Sequence, residues 1–499
     1  MSRRRFVLLL LPAVWFVGLL CIPVIGYLAG ERQPLLENRA KEPFPPLNRS
    51  SIRSPEVFSR LDRALLDRLP LRDDALRARA SLGLGVFGVS PSPEVIAGTG
   101  GWLYLWRDFR PCLPGGSDGV PGEAAEIIAR TTGASGRRVG VLLAGSKTAR
   151  HPEHLRTERE RAQARCVAER EEAVQARLRA TPGGLDISPG LEREVAAGRD
   201  VFLRQDSHWA GNAQLLFVRS MLDAARPGLS ADVGLRQLPT PRKAEMDLTK
   251  MVGFPENQDT TPPIATRPLP YPQARPNETV LIGDSQMRLA MTDELSSRPS
   301  ISAAALPGPF YCERSKFNIG VCNPQLAASR TVLFEWVARD MQDMLTACTH
   351  FPPTLLPDLR RRLRALPASL MATADGKRVR RLRLGDTPPV VRFAPSDGDV
   401  SRSLRLMVVE VERLDTPGPG GAQQVTLVPR PTDGRPDISC ATASAAAGGA
   451  IIVPVPAGRD AAKMAFELTA PPGTVLGNPQ AFTLDDATVN RGMRDALRR

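Results

Sequence analysis

Four short apolar runs, Val139–Leu143, Val201–Leu203, Thr279–Ile282 and Thr331–Phe334, are each followed by a turn or a helical pattern. Strands that alternate with helices signal a largely parallel sheet, because parallel neighbours need the long crossovers that helices supply. The spacing predicts an α/β domain over residues 51–350. It opens with an amphipathic helix, Val57–Leu82, interrupted near Pro70, and carries a charge-laced solvated helix over 154–180.

A chain of 499 residues is too long for one such core. From Phe351 the texture changes: Phe351-Pro352-Pro353 breaks the helical pattern, and the stretch Arg360–Arg383 is dense in cations. Residues 351–387 therefore read as a basic interdomain connector, suited to acidic sugars or lipid headgroups if it is more than a solvated segment. Beyond it, Leu404–Val411, Gln424–Val428, Ala450–Val455 and Met464–Leu468 are separated by Gly, Pro and Asp clusters. Such punctuation predicts a C-terminal all-β domain, a sandwich or jelly roll, over 388–499.

At the other end, Arg3-Arg4-Arg5 precedes an uncharged run, Phe6–Gly30. Its roughly 25 residues, at about 1.5 Å each, suffice to cross a hydrocarbon core of about 30 Å. The basic flank predicts a signal anchor over 1–30 with its N-terminus in the cytoplasm, followed by a linker over 31–50. The chain would then be a single-pass protein of the inner membrane, its catalytic domain in the periplasm or outside the cell. A cleaved signal peptide is the alternative, although Tyr27-Leu28-Ala29-Gly30 is a poor cleavage site. Outside the run stand Cys112, Cys166, Cys312, Cys322, Cys348 and Cys440, an even set that suits disulfides in an oxidising space. Cys312 with Cys322 would close a short loop, and Cys348 with Cys440 would tie two halves of the chain; sequence does not choose the pairing. The net charge of +13 favours anionic partners, but four Tyr and five Trp provide little for stacking bases, so nucleic acid is not expected among them.

The sharpest chemical signal is Thr279-Val280-Leu281-Ile282-Gly283-Asp284-Ser285, an apolar strand running into a tight turn that ends in a hydroxyl. That layout is a nucleophile elbow: the serine projects at the sheet edge, and the N–H groups of Ser285 and Gln286 are candidate oxyanion donors. The bland reading is a helix N-cap turn. A serine needs a general base, and the chain has four histidines, His151, His154, His208 and His350. The first two flank Pro152-Glu153 and the last precedes the Pro-rich boundary, which leaves His208. Asp206 stands two residues earlier, on the same side of an extended segment, and would orient the imidazole. The same Asp-x-His pair, with a ligand such as Asp284, could instead hold iron or another metal, but no metal site is expected.

Taken together, Glu37-Asn38-Arg39, Gly100-Gly101-Trp102-Leu103-Tyr104, Lys147 with Pro152-Glu153, Asp206-Ser207-His208-Trp209 and Gly283-Asp284-Ser285 resemble, in their order, the SGNH-hydrolase-like O-acetyltransferases of the alginate type (AlgX and AlgJ), with DltD more distant. Ala213 stands where that family usually has glycine, and Gly145-Ser146 where it has Pro-Asp before the lysine. The resemblance implies an SGNH-like α/β/α sandwich and a triad of Asp206, His208 and Ser285. It also implies acetyl transfer to hydroxyls of an exported polysaccharide, with acetyl delivered by a membrane-bound O-acyltransferase and no cofactor, and a β-sandwich that binds carbohydrate. Arg288, Asn318 and Trp209 are candidate substrate contacts; the rings of Trp102, Trp106 and Trp209 suit sugar stacking or, equally, burial near the sheet edge. A carbohydrate acetyl esterase using the same triad, or a non-catalytic polysaccharide-binding scaffold, are the alternative readings.

Overall fold

The computed structural model describes residues 54–68, 72–113, 120–292, 300–313, 322–341, 343–372, 378–384, 390–395, 403–413, 425–430, 444–445, 449–456, 465–470 and 472–498, with 17–18, 21, 41–46 and 48. Among these, no helix is long and apolar enough to cross a membrane. The run Phe6–Gly30 lies outside the described residues apart from Val17, Gly18 and Cys21. Helices Pro55–Leu66 and Arg72–Ala80 lie on either side of Pro70.

A five-stranded parallel sheet is built from β1 (Arg138–Ala144), β2 (Gly184–Leu185), β3 (Thr279–Gly283), β4 (Pro309–Glu313) and β5 (Thr331–Val337), in the spatial order β4-β3-β5-β1-β2. Its strands are apolar on both faces because both are covered. Val139, Val141, Leu143, Val280, Ile282, Val332, Phe334 and Trp336 point into one core. Leu142, Ala144, Leu281, Leu333 and Val337 point into the other. The period-2 alternation thus splits each strand between two layers of helices, giving the α/β/α sandwich. The first layer includes α1 (Val120–Ala134) and α2 (Glu158–Arg179); the second includes α3 (Gly211–Ala225).

Two elements depart from expectation. Val201–Leu203 is not a sheet strand; Phe202 makes only an isolated bridge to Trp209. A closed loop satisfies its backbone instead, through Leu203 N–H to the His208 carbonyl and Ala210 N–H to the Val201 carbonyl. Helix α2, expected to be solvated, buries Ala164, Val167, Glu171, Val174, Gln175 and Leu178 along one face, and Cys112–Cys166 fastens it to the chain ahead of α1. Of the pairings that the sequence left open, Cys312–Cys322 is formed. Cys348 is also disulfide-bonded, and Cys440 lies outside the described residues.

The expected break at Phe351-Pro352-Pro353 does not occur: after α4 (Asp247–Met251) and α5 (Ser285–Met291), which belong to the site, α6 (Asp343–Arg362) runs through Pro352, Pro353 and Pro357. The reason is packing. Met344, Cys348, Phe351, Leu355 and Leu359 form a buried stripe at helical spacing against the core that α1 shares. Burying such side chains gains about 1.5–3 kcal/mol each, which offsets a cost of about 3 kcal/mol per interior proline. Within the stretch expected to be a connector, Leu366–Ala372, Arg378–Val379 and Arg381–Arg383 are strands of the C-terminal sheet.

Among the described residues that sheet has ten strands, all paired antiparallel. Along Leu404–Arg413, residues 404, 406 and 408 face the core shared with α1 and α6, whereas 407, 409 and 411 face a core made wholly of C-terminal residues. The β-rich region is therefore packed against the α/β region through one continuous apolar core. A final helix, α7 (Asp486–Arg498), returns to pack on α1 through Val489 and Met493.

Candidate active site

Ser285 begins α5 (Ser285–Met291), immediately beyond the carboxyl end of β3, the edge at which parallel sheets present their ligands. Asp284 is the N-cap, its Oδ1 accepting the Gln286 N–H at 2.8 Å. Gly283 is needed for space rather than for a left-handed backbone, since its φ is not positive. A Cβ there would lie 2.7 Å from Met287 Cβ and 2.8 Å from Glu335 Oε2, the oxygen that accepts the Asp284 N–H at 3.0 Å. Gly283→Ala should therefore cost about 1–3 kcal/mol by overpacking. Its transition should fall in thermal denaturation, and an unchanged transition would refute the packing argument. Tyr311 holds the same turn from β4, donating to the carbonyls of Asp284 (2.8 Å) and Gly283 (3.2 Å).

His208 meets Ser285 from the opposite side: Nε2 lies 2.9 Å from Oγ, and Nδ1 lies 2.5 Å from Asp206 Oδ1. The pair is prealigned, but not by strand alternation. Asp206 Oδ1 also accepts the His208 backbone N–H at 2.8 Å, an Asx-type turn that folds the carboxylate back onto its own imidazole. Gln286 bridges the two halves of the site, accepting from Trp209 N–H (3.3 Å) and donating to the Ser207 carbonyl (3.2 Å).

Burial disfavours the His208 cation, yet the Asp206 carboxylate, by charge and hydrogen bond, and the nearby Asp247 hold its pKa above the ordinary imidazole value. Burial likewise opposes the Asp206 anion, but His208 and backbone N–H donors outweigh it and draw its pKa down to about 2.

Three groups not singled out as site residues in the sequence complete the surroundings. Asp247 opens α4 (Asp247–Met251) and lies 3.6 Å from His208 Nδ1. Its carboxylate accepts from Ser207 N–H (2.8 Å) and Oγ (2.5 Å), while its own N–H donates to Asp206 Oδ2 (2.8 Å). Arg339, just past β5, is surrounded by Asp108 (3.4 Å), Asp340 (3.8 Å) and Asp284 (3.9 Å). Its position at the carboxyl end of a strand was the available clue. Lys147, known from the sequence only as part of a motif, is buried with Nζ donating to the carbonyls of Leu103 (2.6 Å), Leu203 (2.7 Å), Arg204 (2.7 Å) and Asp206 (3.0 Å). It clamps the loop that carries Asp206 to the hairpin Val95–Ala97/Leu103–Leu105, whose turn uses Gly100 and Gly101 at positive φ.

Several sequence candidates have other places. The Gln286 N–H is occupied by Asp284, so of the two expected oxyanion donors only the Ser285 N–H, first in its helix and without an intrahelical acceptor, remains. Trp209 is fully buried against Phe202 and Phe217 and offers no ring to a sugar. Trp102 is equally buried, stacked on His154 and tilted against His151, while Trp106 is half-buried. Both histidines are thereby structural, and the side chain of His350 is outside the described residues. Arg288 is exposed one helical turn after Ser285; Asn318 lies outside the described residues.

Asp206, His208 and Asp247 bring three potential ligand atoms, two carboxylate oxygens and an imidazole nitrogen, within 4.8 Å of one another. The donor set is already engaged within the protein: His208 Nδ1 by Asp206 and Nε2 by Ser285, and the carboxylate oxygens by N–H and O–H donors. The cluster is a hydrogen-bond network around an imidazole. Its geometry can move a proton from a hydroxyl to a nitrogen and steady the resulting charge.

Residues 95–291 match the family model of the SGNH hydrolase-like domain of acetyltransferase AlgX. The resemblance drawn from the motifs holds over this segment, which contains Asp206, His208 and Ser285. Solved structures that match include the O-acetyltransferase domain of Pseudomonas putida AlgJ, 19% identical over 50% of this chain and 92% of that one, TM-score 0.35. Pseudomonas aeruginosa AlgX matches at 13% identity over 78% of this chain and 94% of its own, TM-score 0.31. No curated protein matches the chain.

Proposed function

We propose that the chain is an O-acetyltransferase that passes acetyl through Ser285 to hydroxyls of an exported polysaccharide. The observation that carries this reading is the hydrogen-bond path from Asp206 through His208 to Ser285, at the carboxyl edge of a domain of the AlgX type. In the first half-reaction His208 Nε2 takes the Ser285 proton as Oγ attacks the acetyl carbonyl, and the imidazolium returns that proton to the departing donor group. In the second, His208 removes a proton from a sugar hydroxyl, which attacks the acetyl-serine; the C–Oγ bond breaks, the imidazolium returns the proton to Ser285 Oγ, and the sugar leaves with the acetyl. Asp206 steadies the imidazolium in both, and the Ser285 N–H faces the developing oxyanion. A membrane-bound O-acyltransferase as the immediate donor, membrane anchoring through Phe6–Gly30 and a catalytic domain outside the cytoplasm belong to the same proposal. The disulfides Cys112–Cys166 and Cys312–Cys322 suit such a compartment.

An assay with p-nitrophenyl acetate and an oligosaccharide tests it: acetylated sugar is the expected product, and acetate alone would make the chain an esterase. The pH profile follows from the shifted imidazole. Only neutral His208 can take the proton, so kcat/KM should fall on the acid side with an apparent pKa above the ordinary value of about 6.5. An acid limb below that value would contradict the Asp206–His208 coupling. Stability moves in linked fashion. The His208 contribution is complete below the unfolded imidazole value and fades as pH rises through the raised folded one. The Asp206 contribution is present above the ordinary carboxyl value and is lost as pH falls toward about 2.

A further inference from the structure

Among the described residues, exposed large apolar side chains are concentrated rather than scattered: eight of the ten fall within residues 44–89. Four of the eight, Leu82, Val86, Phe87 and Val89, stand on the helical turn Ser81–Phe87 and its exit, with Val86 69% and Phe87 70% exposed. Single apolar side chains are ordinary on a surface, whereas a cluster of this density marks a contact.

The turn is fixed, so its exposure is built in. Leu84 packs inward on the cluster of Val95, Leu103, Leu248 and Val252. Val89 N–H donates to the Gly83 carbonyl at 2.8 Å, and Gly88, at φ 62°, closes the turn where a Cβ would collide with the Arg156 guanidinium. At the base stand two exposed cations. Arg79 and Arg156 donate to the carbonyls of Pro91 (3.2 Å) and Gly98 (3.0 Å) and pair with no carboxylate among the described residues. One carboxylate, Glu256, lines the cleft beneath the turn with Arg156. An apolar tip above a basic collar is the amphipathic pattern of elements that lie in a membrane interface.

The chain ahead of the turn says which surface is near. Ten residues, Glu31–Ala40, separate the apolar run Phe6–Gly30 from Lys41, at most roughly 40 Å of extended chain. The next residues are held to the domain: Glu42 N–H donates to Asp67 at 2.8 Å, Arg68 donates to the Glu42 carbonyl at 2.8 Å, and its guanidinium lies 4.3 Å from the centre of the Phe44 ring. Helix Arg72–Ala80 begins four residues after Arg68 and runs directly into the turn.

We infer that the turn Ser81–Phe87 seats the catalytic domain on a phospholipid bilayer, with Leu82, Val86 and Phe87 at the boundary between headgroups and acyl chains and Arg79 and Arg156 against lipid phosphates. Four side chains expose far less than the roughly 800 Å² that a stable protein interface takes from each partner, which favours lipid over a protein. Leu84 shares its core with Leu248 of α4, the helix that brings Asp247 to His208, so a seated turn holds the triad at a set height above the bilayer. Such placement suits acetyl that arrives from a membrane-bound donor. The inference rests on the reading of Phe6–Gly30 as an anchor, and the two are separable by experiment.

The full-length chain is reconstituted in nanodiscs of phosphatidylethanolamine and phosphatidylglycerol, with and without brominated acyl chains, and tryptophan emission is compared. Trp15, within the apolar run, should be quenched in the unsubstituted chain and reports the anchor. Phe87→Trp should add emission of which brominated lipid removes about half or more, and Leu82→Asp/Val86→Asp in the same chain should abolish that added quenching. Quenching in the unsubstituted chain with no increment from Phe87→Trp would overturn the seat while leaving the anchor, and is the result expected if a protein covers the patch. No quenching in either chain would overturn both. Acetyl trapping on Ser285 is a separate measurement, so the catalytic reading stands or falls apart from either result.

Discussion

Ser285→Ala should lower acetyl transfer by roughly 10⁴- to 10⁶-fold, because removing a nucleophile abolishes the covalent route while substrate binding and the remaining electrostatics survive. The fold should be unaffected. The side chain is half-buried at a sheet edge, and the substitution removes one hydrogen bond, to His208 Nε2, worth about 1 kcal/mol. The test is kcat/KM for transfer from p-nitrophenyl acetate to an oligosaccharide, with a denaturation curve measured on the same preparation. A folded Ser285→Ala protein that still transfers acetyl at more than about a hundredth of the original rate would remove Ser285 from the mechanism.

Lys147→Met should have the largest effect on stability. Methionine fills a similar volume but offers no donor, so the carbonyls of Leu103, Leu203, Arg204 and Asp206 lose their common partner. The Arg204 and Leu203 carbonyls keep backbone donors, Leu103 N–H and Asp206 N–H, but loss of the shared buried ammonium costs about 3–5 kcal/mol in total, a large share of the roughly 5–15 kcal/mol by which domains are stable. Burial pulls the Lys147 pKa down to about 7 against the opposing charges of Asp206, Asp247 and Asp108. The carbonyls favour the ammonium, which has a third N–H to give. Urea denaturation should show the midpoint displaced downward, and activity should fall with it because the loop carrying Asp206 is released. A midpoint within about 1 kcal/mol of the original would show that the clamp carries no stability.

Much of this was legible in the residues, and the reasons for the rest are local. The apolar runs at Val139, Thr279 and Thr331 are sheet strands because burial on both faces leaves them few alternatives. Val201–Leu203 has the same texture, but its Leu203 carbonyl serves Lys147 and its Val201 carbonyl serves the Ala210 N–H, which no periodicity can reveal. Pro309-Phe310-Tyr311-Cys312-Glu313 is too mixed to read as a strand, yet it forms the sheet edge and supplies the Tyr311 hydroxyl to the elbow. At α6 the prolines argued for a break, and a buried stripe of five side chains overrode them. His208 was found by eliminating three other histidines, whereas Asp247 and Arg339 reach the site from sequence positions that carry no motif. For Trp209 the sequence left a sugar platform and a buried ring equally open, and the packing of Phe202 and Phe217 shows a core residue.

The most direct test of the whole account is to mix the protein with p-nitrophenyl acetate, quench in acid, and map the peptide containing Ser285 by mass spectrometry. One acetyl group on Ser285, discharged when an acceptor oligosaccharide is added before the quench, is the predicted result. Continued turnover with Ser285 unmodified at every time point would contradict it.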